Sequence, residues 1–160
     1  MLTALVAGTL LLGFFTFVLP RNANTLARWY GVVASLAGLV LIQFMNPWSP
    51  PPEESTRWLS YPFTANYHLG ISGISYALVQ LLALCTLCAM LATNVQRQRN
   101  FVGLMLLLEG TMLGLFLTRD LLLFALFWDL QLVPVFLILV GWTADPRSAI
   151  LQLRVPFTQA

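Results

Sequence analysis

Lysine is absent from this chain: all eight basic residues are arginine, set against six acids and one histidine. No lysine ammonium is therefore available within its 160 residues to neutralise a carboxylate. Charge of either sign is scarce as well. The chain is 9% charged, 59% hydrophobic and has a mean hydropathy of +0.82, whereas soluble domains carry roughly 25% charged residues, which excludes a soluble globular fold. A net charge of +2, scattered along the chain, excludes the basic footprint of a nucleic-acid binder. Cys85, Cys88 and the lone His68 are too few for a four-ligand zinc or iron–sulfur site, so no metal or cofactor is expected on this chain. The two cysteines read as small buried apolar side chains on one helical face, and they leave the redox compartment undecided. G-x-S-x-G, a phosphate loop and a dinucleotide fingerprint are all missing, so redox or hydrolytic chemistry is not done by the chain's own residues. The start Met1-Leu-Thr-Ala-Leu5 has no basic region and Val18-Leu-Pro20 is a poor cleavage site, so the first apolar run reads as a retained span.

What the chain does have is long apolar runs. A helix needs about 20 apolar residues to cross a hydrocarbon core of about 30 Å. Five segments qualify, roughly 2–19, 29–46, 70–92, 101–118 and 121–140. The expectation is an all-α integral membrane protein, with residues 1–142 forming a transmembrane bundle and 143–160 a cytoplasmic tail too interrupted to span. Residues 46–55, with Pro50-Pro51-Pro52, read as an exposed loop because consecutive prolines cannot continue a helix. Arg97-Gln-Arg-Asn100 reads as a short polar connector, and Thr118-Arg-Asp120 leaves room only for a tight turn.

The arginines sort by side. Arg21, Arg28, Arg97, Arg99, Arg147 and Arg154 fall on one side, and only Arg57 and Arg119, near acidic neighbours, on the other. The positive-inside rule then puts the N-terminus outside and the C-terminus inside. Trp29 and Trp142 sit at the inner interface and Trp48 at the outer, as in aromatic belts.

Asp129 lies in the middle of the fifth span, and its neighbours at i±3 and i±4, Ala125, Leu126, Leu132 and Val133, are all apolar. An Asp at the bilayer centre costs roughly 2.5–3.5 kcal/mol on insertion scales. Two readings compete: a residue on an ion or proton path, and a neutral carboxylic acid serving as interhelical glue. Glu109 lies about ten residues before the turn at 119–120 and Asp129 about ten after it, so both are roughly 15 Å from that surface. Gln80, in the middle of span three, falls at a similar depth, so two acids and an amide share one layer. Low dielectric disfavours a bare charge, and a second acid nearby adds to the effect, which suits a group that takes up and releases protons. Pro134 lacks an N–H and frees the carbonyl of Leu130 beside Asp129, either as a hydrated kink or as plain packing. Gly110 and Gly114 form a GxxxG with Gly103 on the same stripe, which reads as packing, and Glu109 points about 100° away from it.

The run from Phe101 through Glu109-Gly110, Arg119-Asp120 and Phe127-Trp-Asp129-Leu-Gln-Leu-Val-Pro134 resembles the fourth and fifth helices of the chain M (subunit 4) antiporter-like subunits of respiratory NADH-quinone oxidoreductase. Tyr67-His-Leu-Gly-Ile-Ser72-Gly-Ile-Ser75 is similar to the loop and helix start that precede them, and sister chains L and N and Mrp-type antiporters are relatives. The resemblance implies the amino-terminal part of an antiporter-like fold of about fourteen helices, with Asp129 at the position of a Glu essential for proton pumping. That Glu works with a lysine on the seventh helix. Glu109 matches a position acidic in only some members, and the family's usual Asp in Leu-Gly-x-Asp-Gly is Ser72 here, so no role is carried to it.

The function so implied is a proton-translocating membrane-arm subunit, or fragment of one, with Asp129 and Glu109 as relay groups supported by Gln80 and Pro134. NADH, FMN, iron–sulfur clusters and quinone would be handled by other subunits. Partners would be those subunits, the lipid bilayer and protons, and the location a bacterial inner membrane. The helices that carry the family's lysines would lie beyond residue 160, so a fragment, from a frameshift, split gene or truncation, is expected to be inactive alone. The competing reading is a non-catalytic small membrane subunit or truncated gene product with buried acids as glue. An independent five-helix ion carrier would lack any counter-charge for its acids.

Overall fold

The computed structural model describes residues 2–18, 24–44, 53–59, 65–92 and 98–142. They form α1 (Leu2–Thr16), α2 (Asn24–Phe44), β1 (Glu53–Leu59), β2 (Ala65–Gly70), α3 (Gly73–Ala92), α4 (Gln98–Leu117) and α5 (Leu121–Trp142). Helices α2 to α5 are each long and apolar enough to cross a membrane. The 15 residues of α1 are apolar but span only about 22 Å. The tail expected over 143–160 lies outside the described residues, as do Trp48, Arg21 and Arg97.

Helix α4 occupies the middle of the bundle and packs against each of the other four helices, whereas among the described residues α5 touches only α4 and β2. Accordingly 56% of the apolar stretch of α4 is buried, against 17% for α5. Glycines make the central position possible. In α1 and α4, which run antiparallel, a Cβ on Gly13 would lie 2.9 Å from Leu107, one on Gly110 2.9 Å from Leu10, and one on Gly103 3.1 Å from the Phe17 ring. Gly114 serves α5 instead, where a Cβ would sit 2.5 Å from the Phe127 ring. The GxxxG pair is thus split between two partners: Gly103 and Gly110 form the α1 stripe, while Gly114 belongs to the α5 contact. Close backbone approach of this kind is how membrane helices gain packing energy where hydrophobic burial offers none.

One element departs from the expected all-helical fold. Residues 53–55, read as loop, and residues 65–70, read as loop and helix start, pair as an antiparallel hairpin with Glu53 opposite Gly70 and Ser55 opposite His68. Thr56, Trp58 and Tyr67 favour extended backbone, but the polyproline run and the shortness of the strands hid that preference in the sequence. The hairpin rests on the α4–α5 turn. Leu69 bridges to Thr118, and the Arg119 amide donates to the His68 carbonyl at 2.9 Å. The Arg119 guanidinium lies across Gly70 and pairs with Glu53 at 2.6 Å. Asp120 caps α5 through its Oδ1, which accepts from the amides of Leu122 and Leu123.

The helix ends differ from the expected spans in readable ways. Helix α4 begins at Gln98, so residues 98–100 of the expected connector are its first turn, and α2 begins at Asn24 with polar residues in its first turn. Helix α3 starts at Gly73 because Ser72 caps it, with the Ser75 amide donating to Ser72 Oγ at 3.2 Å. Cys85 and Cys88 share one face as expected but are exposed on the bundle exterior, since α3 turns Val79, Ala83, Thr86 and Met90 inward. Arg28 at the end opposite the hairpin donates to the Leu91 carbonyl at the close of α3.

Replacing Gly114 with alanine is expected to destabilise the chain by about 1–3 kcal/mol through overpacking against Phe127. Gly141→Ala, where nothing stands within 4 Å, is expected to be neutral or stabilising. Denaturant unfolding of both variants in detergent micelles checks the contrast.

Candidate functional site

The two membrane acids sit at matching heights on opposite-running helices. Glu109 is eight residues from the turn end of α4 and Asp129 eight residues from the turn end of α5, about 12 Å in each case. Their faces differ, however. Glu109 is 1% exposed and directs Oε1 towards Gly38 of α2. Asp129 is exposed on the outward side of α5, in a shallow apolar surface formed by Leu122, Leu126, Leu130 and Val133. The expected mutual reinforcement of two neighbouring acids is therefore not seen: the central helix separates their surroundings. The reason lies in the α5 stripe Leu123, Phe127, Gln131 and Pro134, which faces α4 and leaves Asp129 about 200° round the helix from Phe127.

Asp129 makes no ion pair or hydrogen bond among the described residues, and its apolar surround is open rather than enclosed. Gln80 is half-buried on α3 and also makes no hydrogen bond among the described residues. Pro134 is buried, and α5 runs on through it to Trp142. No three His, Cys, Asp or Glu side chains come together among the described residues.

Two polar residues escaped the sequence reading. Ser35 Oγ and Gln131 Oε1 are buried with no hydrogen-bond partner among the described residues, and Glu109 Oε2 shares that condition. By contrast, the hydroxyls of Thr9, Thr16, Thr86 and Thr111 bond back to carbonyls of their own helices. Buried acceptors without partners are rare in native proteins and mark sites of function or of bound water. Ser35 was legible as part of the small-residue face Gly31, Ala34, Ser35 and Gly38. Gln131 was legible as a second polar residue inside the Asp129 run.

No protein-family model matches the chain. Among curated proteins it is similar to NAD(P)H-quinone oxidoreductase chain 4, chloroplastic, of Ceratophyllum demersum, with 35% identity over 155 residues. The proteins of the same name from Adiantum capillus-veneris and Oryza sativa are 33% and 34% identical to it. Each match takes in 91% of this chain, which spans only 31% of those relatives' length. The fold is similar to that of a chain in the membrane-bound sulfane sulfur reductase, an archaeal respiratory membrane complex, with a TM-score of 0.68 at 20% identity. That match covers 92% of this chain and 24% of the other.

The different surroundings of the two acids are directly measurable. In the purified chain in detergent, a hydrophobic carbodiimide is expected to modify Asp129 and to leave Glu109 unmodified. Equal labelling of the two, read by peptide mass spectrometry, would contradict the placement.

Proposed function

The chain belongs to the chain 4 family of NAD(P)H-quinone oxidoreductases, as a portion about a third of its relatives' length, and from that premise we propose that it is a proton-translocating membrane part of such a complex. The observation that carries the reading is Asp129, a lone carboxyl in the outward apolar face of α5 at mid-helix height. A helix built only to sit in lipid gains by losing such a residue. A carboxyl there is placed to exchange a proton with whatever group is brought against that face.

The cation must come from elsewhere, because the chain holds no lysine and no arginine lies near mid-height on α4 or α5. The resemblance implies a lysine on a later helix of the family. In this proposal the remaining length of the protein, or its neighbouring subunits, covers the outward face of α5 and brings that charge to Asp129. Electron transfer from NADH to quinone is then the work of other subunits, and this chain's own residues move protons only. Glu109, enclosed between α4 and α2, is a second candidate relay group, reached independently of Asp129.

The sorting of charge supports the orientation. Arg28 and Arg99 lie at the end away from the hairpin, and Arg57 and Arg119 at the hairpin end, which the positive-inside rule puts outside. The chain is a multi-pass membrane protein. The expected bacterial inner membrane is not what its relatives' names say: those reported above are chloroplastic, and the protein of similar fold belongs to an archaeal complex. The location proposed is an energy-coupling membrane of any of these kinds.

In the assembled complex, Asp129→Asn is expected to lower proton translocation at least about tenfold, as loss of a positioned proton-transfer group does. Asp129→Glu is expected to retain it, and the amount of assembled complex should not change in either variant. Vesicle acidification driven by NADH reads the rate. Full translocation in Asp129→Asn would leave the carboxyl as interhelical glue and sink the relay.

A further inference from the structure

The interior glycines of the bundle divide into two kinds. At Gly13, Gly31, Gly103, Gly110 and Gly114 an added Cβ would come within 2.5–3.1 Å of a neighbouring helix. Gly38 is buried like them, yet a Cβ there would meet only Glu109 Oε1, at 3.9 Å. Between α2 and α4 a methyl group therefore fits at Gly38 without a clash, directly beside a buried carboxyl.

The helix register shows what else lines that room. A Cβ on Gly31 of α2 would touch Val102 of α4 and Met90 of α3. Helix α4 runs parallel to α2, and α3 runs against both. One turn further along, the register brings Ser35, Thr86 and Leu106 to one level, and a second turn brings Gly38, Ala83 and Glu109. Ser35, Thr86, Leu106, Ala83 and Glu109 are all at most 5% exposed, as that register requires. Thr86 donates its hydroxyl to the Leu82 carbonyl at 2.7 Å, which leaves its oxygen able to accept. Ser35 Oγ and Glu109 Oε2 have no partner among the described residues.

We infer that this junction is a water-binding site, in which a bound water bridges Ser35 and the Glu109 carboxyl in the space over Gly38, with Thr86 as a further acceptor. Buried waters in proteins occupy such places, where two to four polar groups converge on a space that protein atoms do not fill. Occupancy rests on packing and hydrogen bonding alone and does not require that Asp129 or Glu109 transfer protons.

Two measurements test it, and neither reads pumping. In a high-resolution electron cryomicroscopy map of the assembled membrane complex, a water is expected within about 2.7–3.2 Å of both Ser35 Oγ and a Glu109 carboxyl oxygen. A direct Ser35–Glu109 hydrogen bond, or an empty space, overturns the proposal. The second uses Gly38→Ala, whose methyl fits without a clash and takes the place of the water. If the space were dry, filling it and removing a helical glycine would raise the melting temperature by about 2–4 °C. The expected result is a melting temperature at or below that of the parent chain, because the carboxyl and Ser35 lose their partner; a rise overturns the proposal.

Discussion

Helices in a bilayer cannot be driven together by hydrophobic burial, so the bundle depends on how closely backbones approach α4. Gly103 and Gly110 admit α1, Gly13 admits α4 in return, and Gly114 admits the Phe127 ring of α5. Once those contacts fix the rotation of α4, its remaining faces have no freedom. Glu109 lies about 100° from the Gly110 stripe and is delivered to Gly38 of α2. The hairpin completes the arrangement from one end, since Arg119, pairing with Glu53 and lying over Gly70, ties the loop between α2 and α3 to the turn between α4 and α5.

The same packing gives the two acids different environments at one height. Glu109 is enclosed by small residues and by helices already present in this chain, so its surroundings are largely determined by the five helices themselves. Asp129 looks away from all of them. Among the described residues helix α5 meets α4 and β2 through a side that includes Leu123, Phe127, Gln131 and Pro134, and its opposite side, where Asp129 stands among apolar side chains, is exposed. An acid on that side acquires its electrostatic surroundings from whatever covers it, and the relatives, of whose length this chain spans 31%, have ample further chain to do so.

How much of this was legible in the residues follows from the physics each part obeys. Apolar length gave the five helices, because crossing a bilayer is a one-dimensional requirement that sequence displays directly. The depth of Glu109 and Asp129 was legible for the same reason, as a count of residues from a turn. Their facing was not: that depends on which helix each neighbour chooses, and α5 has too little amphipathic pattern to announce its inner side. The hairpin was hidden because Glu53–Leu59 and Ala65–Gly70 gain their order from each other and from Arg119, a partner some fifty residues on. Ser35 escaped notice because a serine in a small-residue stripe reads as packing until its hydroxyl is found without a partner. Ser72, at the place where the resembling family carries Asp, is explained by capping, a task both residues perform.

The central claim is that the Asp129 face of α5 is an internal surface of the working assembly rather than a lipid-facing one. Nitroxide labels at Leu126→Cys and Val133→Cys, in a background without the exposed Cys85 and Cys88, report this directly through collision with relaxing agents. In the assembled complex both labels are expected to be shielded from dissolved oxygen and from a polar nickel complex alike. Free oxygen access at both positions, with the nickel complex excluded, would mean that lipid covers the face, and would contradict the account.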